Sequence, residues 1–176
     1  MKNEFLKAQK NKKLKRKLVI AALILIAVIA AGIYCKNIFF ESTNDVKDGK
    51  VSIEIRCDEL SKHKEALTDK ALKSYIPDDG VIVAKTEYKI TENKTTVMDI
   101  LQKSCKENDV QIEEKDGYIR GINYLYEFSA GKKSGWMYTV NGKFPNYGSN
   151  EVYLKDGDKI IWLYTIDYDK ENSDMQ

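Results

Sequence analysis

Few residues of this chain are of a type and spacing that could do covalent or metal chemistry. His63 is the single histidine. It lies in the charged run Ser61-Lys62-His63-Lys64-Glu65-Ala66, with no nucleophile spaced to work with it, and reads as an exposed imidazole. Cys35, Cys57 and Cys105 show no Cys-x-x-Cys spacing and Cys35 reads as a thiol at the membrane edge, so metal binding through soft ligands is not expected. Cys57 and Cys105 fall on inward phases of their segments, so they either pair as a disulfide in an oxidising compartment or sit as two small buried hydrophobes. Cys105 is late in its predicted helix, away from the N-terminal dipole that would make it a nucleophile. Adjacent Glu113 and Glu114 point to opposite faces of a strand, which does not make a catalytic pair. Asp156 and Asp158 flank a tight turn and could catch a calcium ion, although solubilising the turn is the simpler role. Asn93-Lys94-Thr95 is a glycosylation sequon in form only. No catalytic residue, metal ligand set or resident cofactor is expected, and the chain does not read as an enzyme.

The segment from Tyr118 to Tyr164 has a different texture, with tyrosine, tryptophan, glycine and asparagine packed together. Rigid amphipathic rings beside adaptable amides favour a binding face. Trp162, between Ile160 and Tyr164 in a period-two run, reads first as an inward strand residue. The turn residues are harder to bury: Lys143-Phe144-Pro145-Asn146-Tyr147-Gly148 places two aromatics, an amide and a rigid proline in a loop. The expected ligand-binding set is Trp136, Tyr138, Asn141, Phe144, Pro145, Asn146, Tyr147 and Gly148. A small molecule and a surface protein or glycan partner suit this set equally well.

Ser134-Gly135-Trp136-Met137-Tyr138-Thr139-Val140-Asn141-Gly142, then Pro145-Asn146-Tyr147-Gly148, Leu154-Lys155-Asp156-Gly157-Asp158 and Trp162-Leu163-Tyr164 resemble the transcobalamin-like C-terminal domain family. The resemblance holds in order and spacing from Tyr118 to Tyr164 and extends more weakly back to Val51. It implies a β-grasp domain of the kind found in Gram-positive surface proteins and as the smaller β-domain of vitamin B12 carriers, with a corrinoid as one implied ligand. Relatives often carry a cysteine pair where this chain has Ala130 and Ser149. In the B12 carriers a large helical domain closes the site. The roughly 116 residues outside the predicted membrane segment leave no room for one, so tight capture of a broad ligand implies a second protein.

These residues must be positioned by strands and one helix. Val51, Ile53, Ile55 and Cys57 alternate with Ser52, Glu54 and Arg56 as a half-buried strand. Asp58 to Asp79 reads as a long surface connection with a short helix around Asp69 to Ser74, stopped before Pro77. Val81 to Ile90 resumes strand chemistry. Thr96 and Asp99 have N-cap-to-N3 spacing and open a helix to Asn108 with Val97, Ile100, Leu101 and Cys105 on one face. Strands are predicted over Val110–Glu113, Tyr118–Ile122, Trp136–Val140 and Lys159–Ile166, with turn chemistry at Asn141-Gly142 and Asp156-Gly157. The fold class expected is α+β, a β-grasp-like mixed sheet with one crossing helix, preceded by a single transmembrane helix.

That helix follows from charge and hydropathy. The 176-residue chain has a formal net charge of +2. Its first 17 residues hold eight basic side chains against Glu4, a surplus of seven that leaves −5 for the rest. Nucleic acid is excluded as the reading of this basic stretch because Leu18 to Tyr34 follows at once without a charged residue. Seventeen helical residues rise about 26 Å against a hydrocarbon core of about 30 Å, and snorkelling by Lys17 and Lys36 closes the gap. The positive-inside rule puts the N-terminus in the cytoplasm and the C-terminal part outside the cell. A cleaved signal peptide is the competing reading, given Ala30, Ala31 and Gly32 near the end of the run. Tyr34 before Cys35 does not fit a lipid-modification site. The expected organisation is a basic tail over 1–17, a membrane anchor over 18–40, a linker over 41–50, one domain over 51–166 and a disordered acidic tail over 167–176.

Overall fold

The computed structural model describes residues 27–31 and 47–173, and the chain divides into two units, residues 1–46 and 47–176. In the first unit residues 27–31 are helical, labelled α1, and exposed. The rest of the expected membrane anchor, the basic tail and residues 41–46 of the linker lie outside the described residues. Among the described residues no helix is long and apolar enough to cross a membrane.

In the second unit the predicted alternation produces strands that bury one face. β1 (Asp48–Arg56) and β2 (Val81–Thr91) pair antiparallel, β6 (Gly135–Val140) and β7 (Lys159–Thr165) pair antiparallel, and β1 lies parallel to β7. The sheet order is β2-β1-β7-β6, which leaves β6 at an edge. Val51, Ile53 and Ile55 of β1 and Ile160, Trp162 and Tyr164 of β7 are all buried, and each fully buried branched side chain contributes about 1.5–3 kcal/mol.

Helix α3 (Val97–Glu107) supplies the opposing layer through Val97, Met98, Ile100, Leu101, Ser104 and Cys105. It starts where the spacing places it. Thr96 Oγ1 accepts from Asp99 N at 3.2 Å, and Asp99 Oδ2 accepts from Thr96 N at 2.8 Å, so aspartate completes the capping box usually closed by Glu or Gln. The result is a mixed α+β domain with two sheets. The second, β3-β4-β5 (Ile112–Lys115, Tyr118–Ile122, Leu125–Tyr126), is one the sequence reading did not assemble.

Several boundaries differ for physical reasons. β1 begins at Asp48, inside the expected linker, because main-chain pairing of Asp48 with Thr91 and Gly49 with Ile90 extends the ladder past the last apolar side chain. The connection between β1 and β2 does more than cross the surface. It holds helix α2 (Asp58–Lys62) and two 3₁₀ segments, Lys64–Ala66 and Lys70–Tyr75, and buries Leu60, Leu67 and Ile76. Gly80 closes it at φ 70, where a Cβ would lie 2.7 Å from the Asp58 Cα. Within the expected acidic tail lies α4 (Tyr168–Ser173), where the Tyr168 N–H and hydroxyl donate to the carbonyls of Lys133 and Lys132 at 3.1 Å each. Lys133 Nζ also meets Asp169 Oδ2 at 2.6 Å.

Candidate functional site

Strand register determines which rings share a face. Trp136 of β6 pairs with Tyr164 of β7, and Tyr138 pairs with Trp162, so all four side chains project to the same side. Tyr138 stacks on Trp162 with centroids 5.0 Å apart and planes at 28°, and Trp136 meets Tyr164 edge-on at 5.3 Å. At the β6 edge this aromatic floor opens into a concavity of about 270 Å³. One wall is Gly117, Tyr118 and Ile119, at the start of β4. The other is the loop from Phe144 to Ser149, and Met137 completes the rim.

The C-terminal half of the loop is fastened at two points. Tyr138 Oη donates to the Tyr147 carbonyl at 2.7 Å, while the Ser149 carbonyl accepts from Met98 N at 3.0 Å at the start of α3. The capped helix and the edge strand together hold the loop over the floor. The wall at Gly117 depends on a positive φ of 83 beside Asn150, whose Nδ2 would lie 2.6 Å from an added Cβ.

No lining residue carries a charged side chain. Burial, with the negative charge of Glu151 adding to it, pushes the Tyr138 phenol up to about 12. Burial together with the hydrogen bond to Glu127 pushes Tyr118 up to about 12. Both phenols are therefore neutral at physiological pH, and the site offers ring faces and neutral hydrogen-bond groups. The two tryptophans differ. Trp136 Nε1 donates to the Leu125 carbonyl at 2.7 Å, whereas Trp162 Nε1 is buried with no hydrogen-bond partner. A buried N–H without an acceptor costs about 1–3 kcal/mol.

Of the expected binding residues, Trp136, Tyr138, Phe144, Pro145, Asn146, Tyr147 and Gly148 line the concavity. Asn141 does not. It occupies the left-handed region at φ 55 beside Gly142, donates from Nδ2 to Asp158 Oδ1 at 2.7 Å and accepts from Lys159 N at 3.0 Å. Its amide is used in tying two turns together. Gly117, Tyr118, Ile119, Met137, Ser149 and Trp162 belong to the lining and were not in the expected set. Tyr118 and Trp162 stood in the aromatic-rich segment, but nothing in the sequence brings β4 beside β6.

The remaining chemistry-bearing residues have structural placements. Cys57 and Cys105 are free and buried, and burial pushes both thiols up to about 12. His63 is exposed, with Nδ1 at 3.2 Å from Glu65 Oε1. Asp156 accepts from Lys50 N, and Asp158 from Lys155 N, both at 2.8 Å, so their carboxylates hold turns. Among the described residues no group of three or more His, Cys, Asp or Glu side chains is placed to hold a metal ion.

Solved structures similar to this chain include haptocorrin and a Ruminococcus gnavus protein. Comparison with the crystal structure of haptocorrin in complex with Cbi gives a TM-score of 0.47 at 14% identity, covering 69% of this chain and 26% of that one. Comparison with a protein from Ruminococcus gnavus, described provisionally as metal-binding, gives 0.39 at 13% identity, covering 66% of this chain and 96% of that one. This chain thus spans about a quarter of the haptocorrin chain. No curated protein matches it. Residues 94–165, which include α3, β3 to β7 and every lining residue of the concavity, match the model of a domain of unknown function, DUF4430.

Proposed function

We propose that this domain is a non-catalytic ligand-binding module. It holds a ring or other apolar end of its ligand between the Trp136–Tyr138–Trp162 floor and the 144–148 loop. The observation that carries this reading is the uncharged aromatic concavity itself, floored by the Tyr138–Trp162 stack and walled by the 144–148 loop. Binding is favoured over catalysis because the lining lacks a charged group and both described thiols are buried with raised pKa values.

The concavity is smaller than the roughly 300–1,000 Å³ that buries a drug-sized ligand. A corrinoid, raised by the family resemblance, would leave most of its area uncovered here, and its tight capture would need a second protein. The basic first 17 residues and the apolar run after them support display on the outer side of a cell membrane with the N-terminus in the cytoplasm.

Benzamide tests the reading, because its ring can stack and its carbonyl can accept. At about 0.3–0.5 kcal/mol per non-hydrogen atom it should bind with a Kd of about 0.5–10 mM. Calorimetric titration of the full chain should show saturable binding, weakened by Tyr147→Ala and unchanged by Asn141→Ala. Absence of binding, or equal loss in both variants, would overturn the assignment. A parallel titration with cobinamide tests the corrinoid version separately.

A further inference from the structure

We infer that the group this site takes is a quaternary ammonium, a methyl-covered cation held between the aromatic floor and the 144–148 loop. This rests on the binding reading above and names the chemistry of the ligand's apolar end.

The rings of the lining carry the inference. Tyr118, Trp136, Tyr138, Phe144, Tyr147 and Trp162 supply ring surface, Met137 adds a polarisable thioether, and no lysine or arginine is among the lining residues. A ring carries its negative charge density on its faces. Rings gathered from a floor and two walls therefore make an electronegative hollow with no ionised group in it. A cation inside is attracted, and more strongly as water is excluded.

The hydrogen-bond donors of three of these rings have other uses. Tyr118 Oη donates to Glu127 Oε2 at 3.0 Å, Tyr138 Oη to the Tyr147 carbonyl at 2.7 Å, and Trp136 Nε1 to the Leu125 carbonyl at 2.7 Å. A carboxylate or phosphate would meet few free donors here and would lie against negative ring faces. A primary ammonium would demand acceptors for its N–H groups. A quaternary nitrogen has no N–H to satisfy, and its methyl groups spread one charge over an apolar surface, which matches walls made of ring faces.

Charge outside the hollow has the matching sign. The Glu151 carboxylate stands against the loop, with Oε1 3.5 Å from the position of a Cβ on Gly148, and its negative charge reaches Tyr138. It makes no ion pair among the described residues. Glu127, bonded to Tyr118, is shared with Arg120 at 3.4 Å and contributes less. A volume of about 270 Å³, below that of a site for a drug-sized ligand, suits a compact head of this kind.

The test titrates the full chain by calorimetry with choline and with 3,3-dimethylbutan-1-ol, the neutral compound of the same shape in which carbon replaces the ammonium nitrogen. Choline should bind saturably and at least fivefold more tightly than the alcohol. Phe144→Leu keeps an apolar wall but removes a ring face, and should shrink that preference at least twofold through choline alone. Glu151→Gln should weaken choline about two- to fivefold and leave benzamide unchanged. Tighter binding of choline than of phosphocholine assigns a free ligand, and the reverse a phosphorylated headgroup. Equal or tighter binding of the alcohol, or no saturable choline binding while benzamide still binds, overturns the cation assignment and leaves a site for neutral ligands. If choline and benzamide both fail to bind, the binding reading falls as well.

Discussion

Trp162→Phe and Trp136→Phe make the same chemical change at two buried sites, at 3% and 7% exposure, and they should have different consequences. Each removes the pyrrole part of an indole and leaves a ring to stack, so the packing losses cancel to first order. The polar terms do not cancel. Trp136→Phe removes the bond from Nε1 to the Leu125 carbonyl, at a cost of about 1 kcal/mol net. Trp162→Phe removes a buried donor that lacks an acceptor and relieves about 2 kcal/mol. The Trp136 variant should therefore be about 3 kcal/mol less stable than the Trp162 variant, a gap of about 1–3 M in urea midpoint for a slope of about 1–3 kcal/mol/M. Urea titration followed by far-ultraviolet circular dichroism reads this without relying on tryptophan fluorescence. Equal midpoints, or a less stable Trp162 variant, would mean that the Trp162 N–H already has a partner.

Alkaline stability should respond to the two buried thiols. Cys57 and Cys105 have an ordinary value of 9.0 and are pushed up to about 12 by burial. Between those values the unfolded chain has released protons that the folded chain keeps, so their contribution is complete below pH 9 and declines by up to about 1.4 kcal/mol per pH unit per thiol as pH rises. Under reducing conditions the Cys57→Ala/Cys105→Ala variant should show a flatter limb between pH 9 and 10; an unchanged slope would assign the limb to other groups. At the start of α3, Thr96→Ala and Asp99→Ala should each cost about 1 kcal/mol, and the double variant less than their sum, because the two side chains serve one capping box. Strict additivity in denaturant titrations would contradict that coupling.

The parts of the molecule governed by local pattern were legible in the sequence. Thr96 and Asp99 announced α3, the alternation of Val51, Ile53 and Ile55 announced β1, and Asp156-Gly157 announced its turn. Long-range placement was not. The β4–β5 turn uses Asn123 and Tyr124 at φ 54 and 62, where a second residue such as glycine would have signalled a hairpin. It is held by contacts distant in sequence, from Asn123 Nδ2 to the Tyr75 carbonyl at 2.8 Å and from Tyr124 N to Gln111 Oε1 at 2.9 Å. Seven of the residues read from the sequence line the concavity because one edge strand and the loop after it supply most of that lining. Asn141 was assigned to it because turn asparagines suit both ligands and backbone, and only the positions of Asp158 and Lys159 decide between these uses. Trp162 followed the strand period into the core, yet that burial brings its ring beneath the concavity.

The most direct test of the binding claim is the pair of indole N–H resonances, since the chain has only two tryptophans. With the full chain labelled with ¹⁵N and titrated with benzamide to saturation, the Trp162 Nε1–H resonance should shift saturably as the benzamide ring stacks over the Tyr138–Trp162 pair. The Trp136 signal, already bonded to Leu125, should change little. A Trp162 resonance that stays in place, or a response confined to Trp136, would contradict the account.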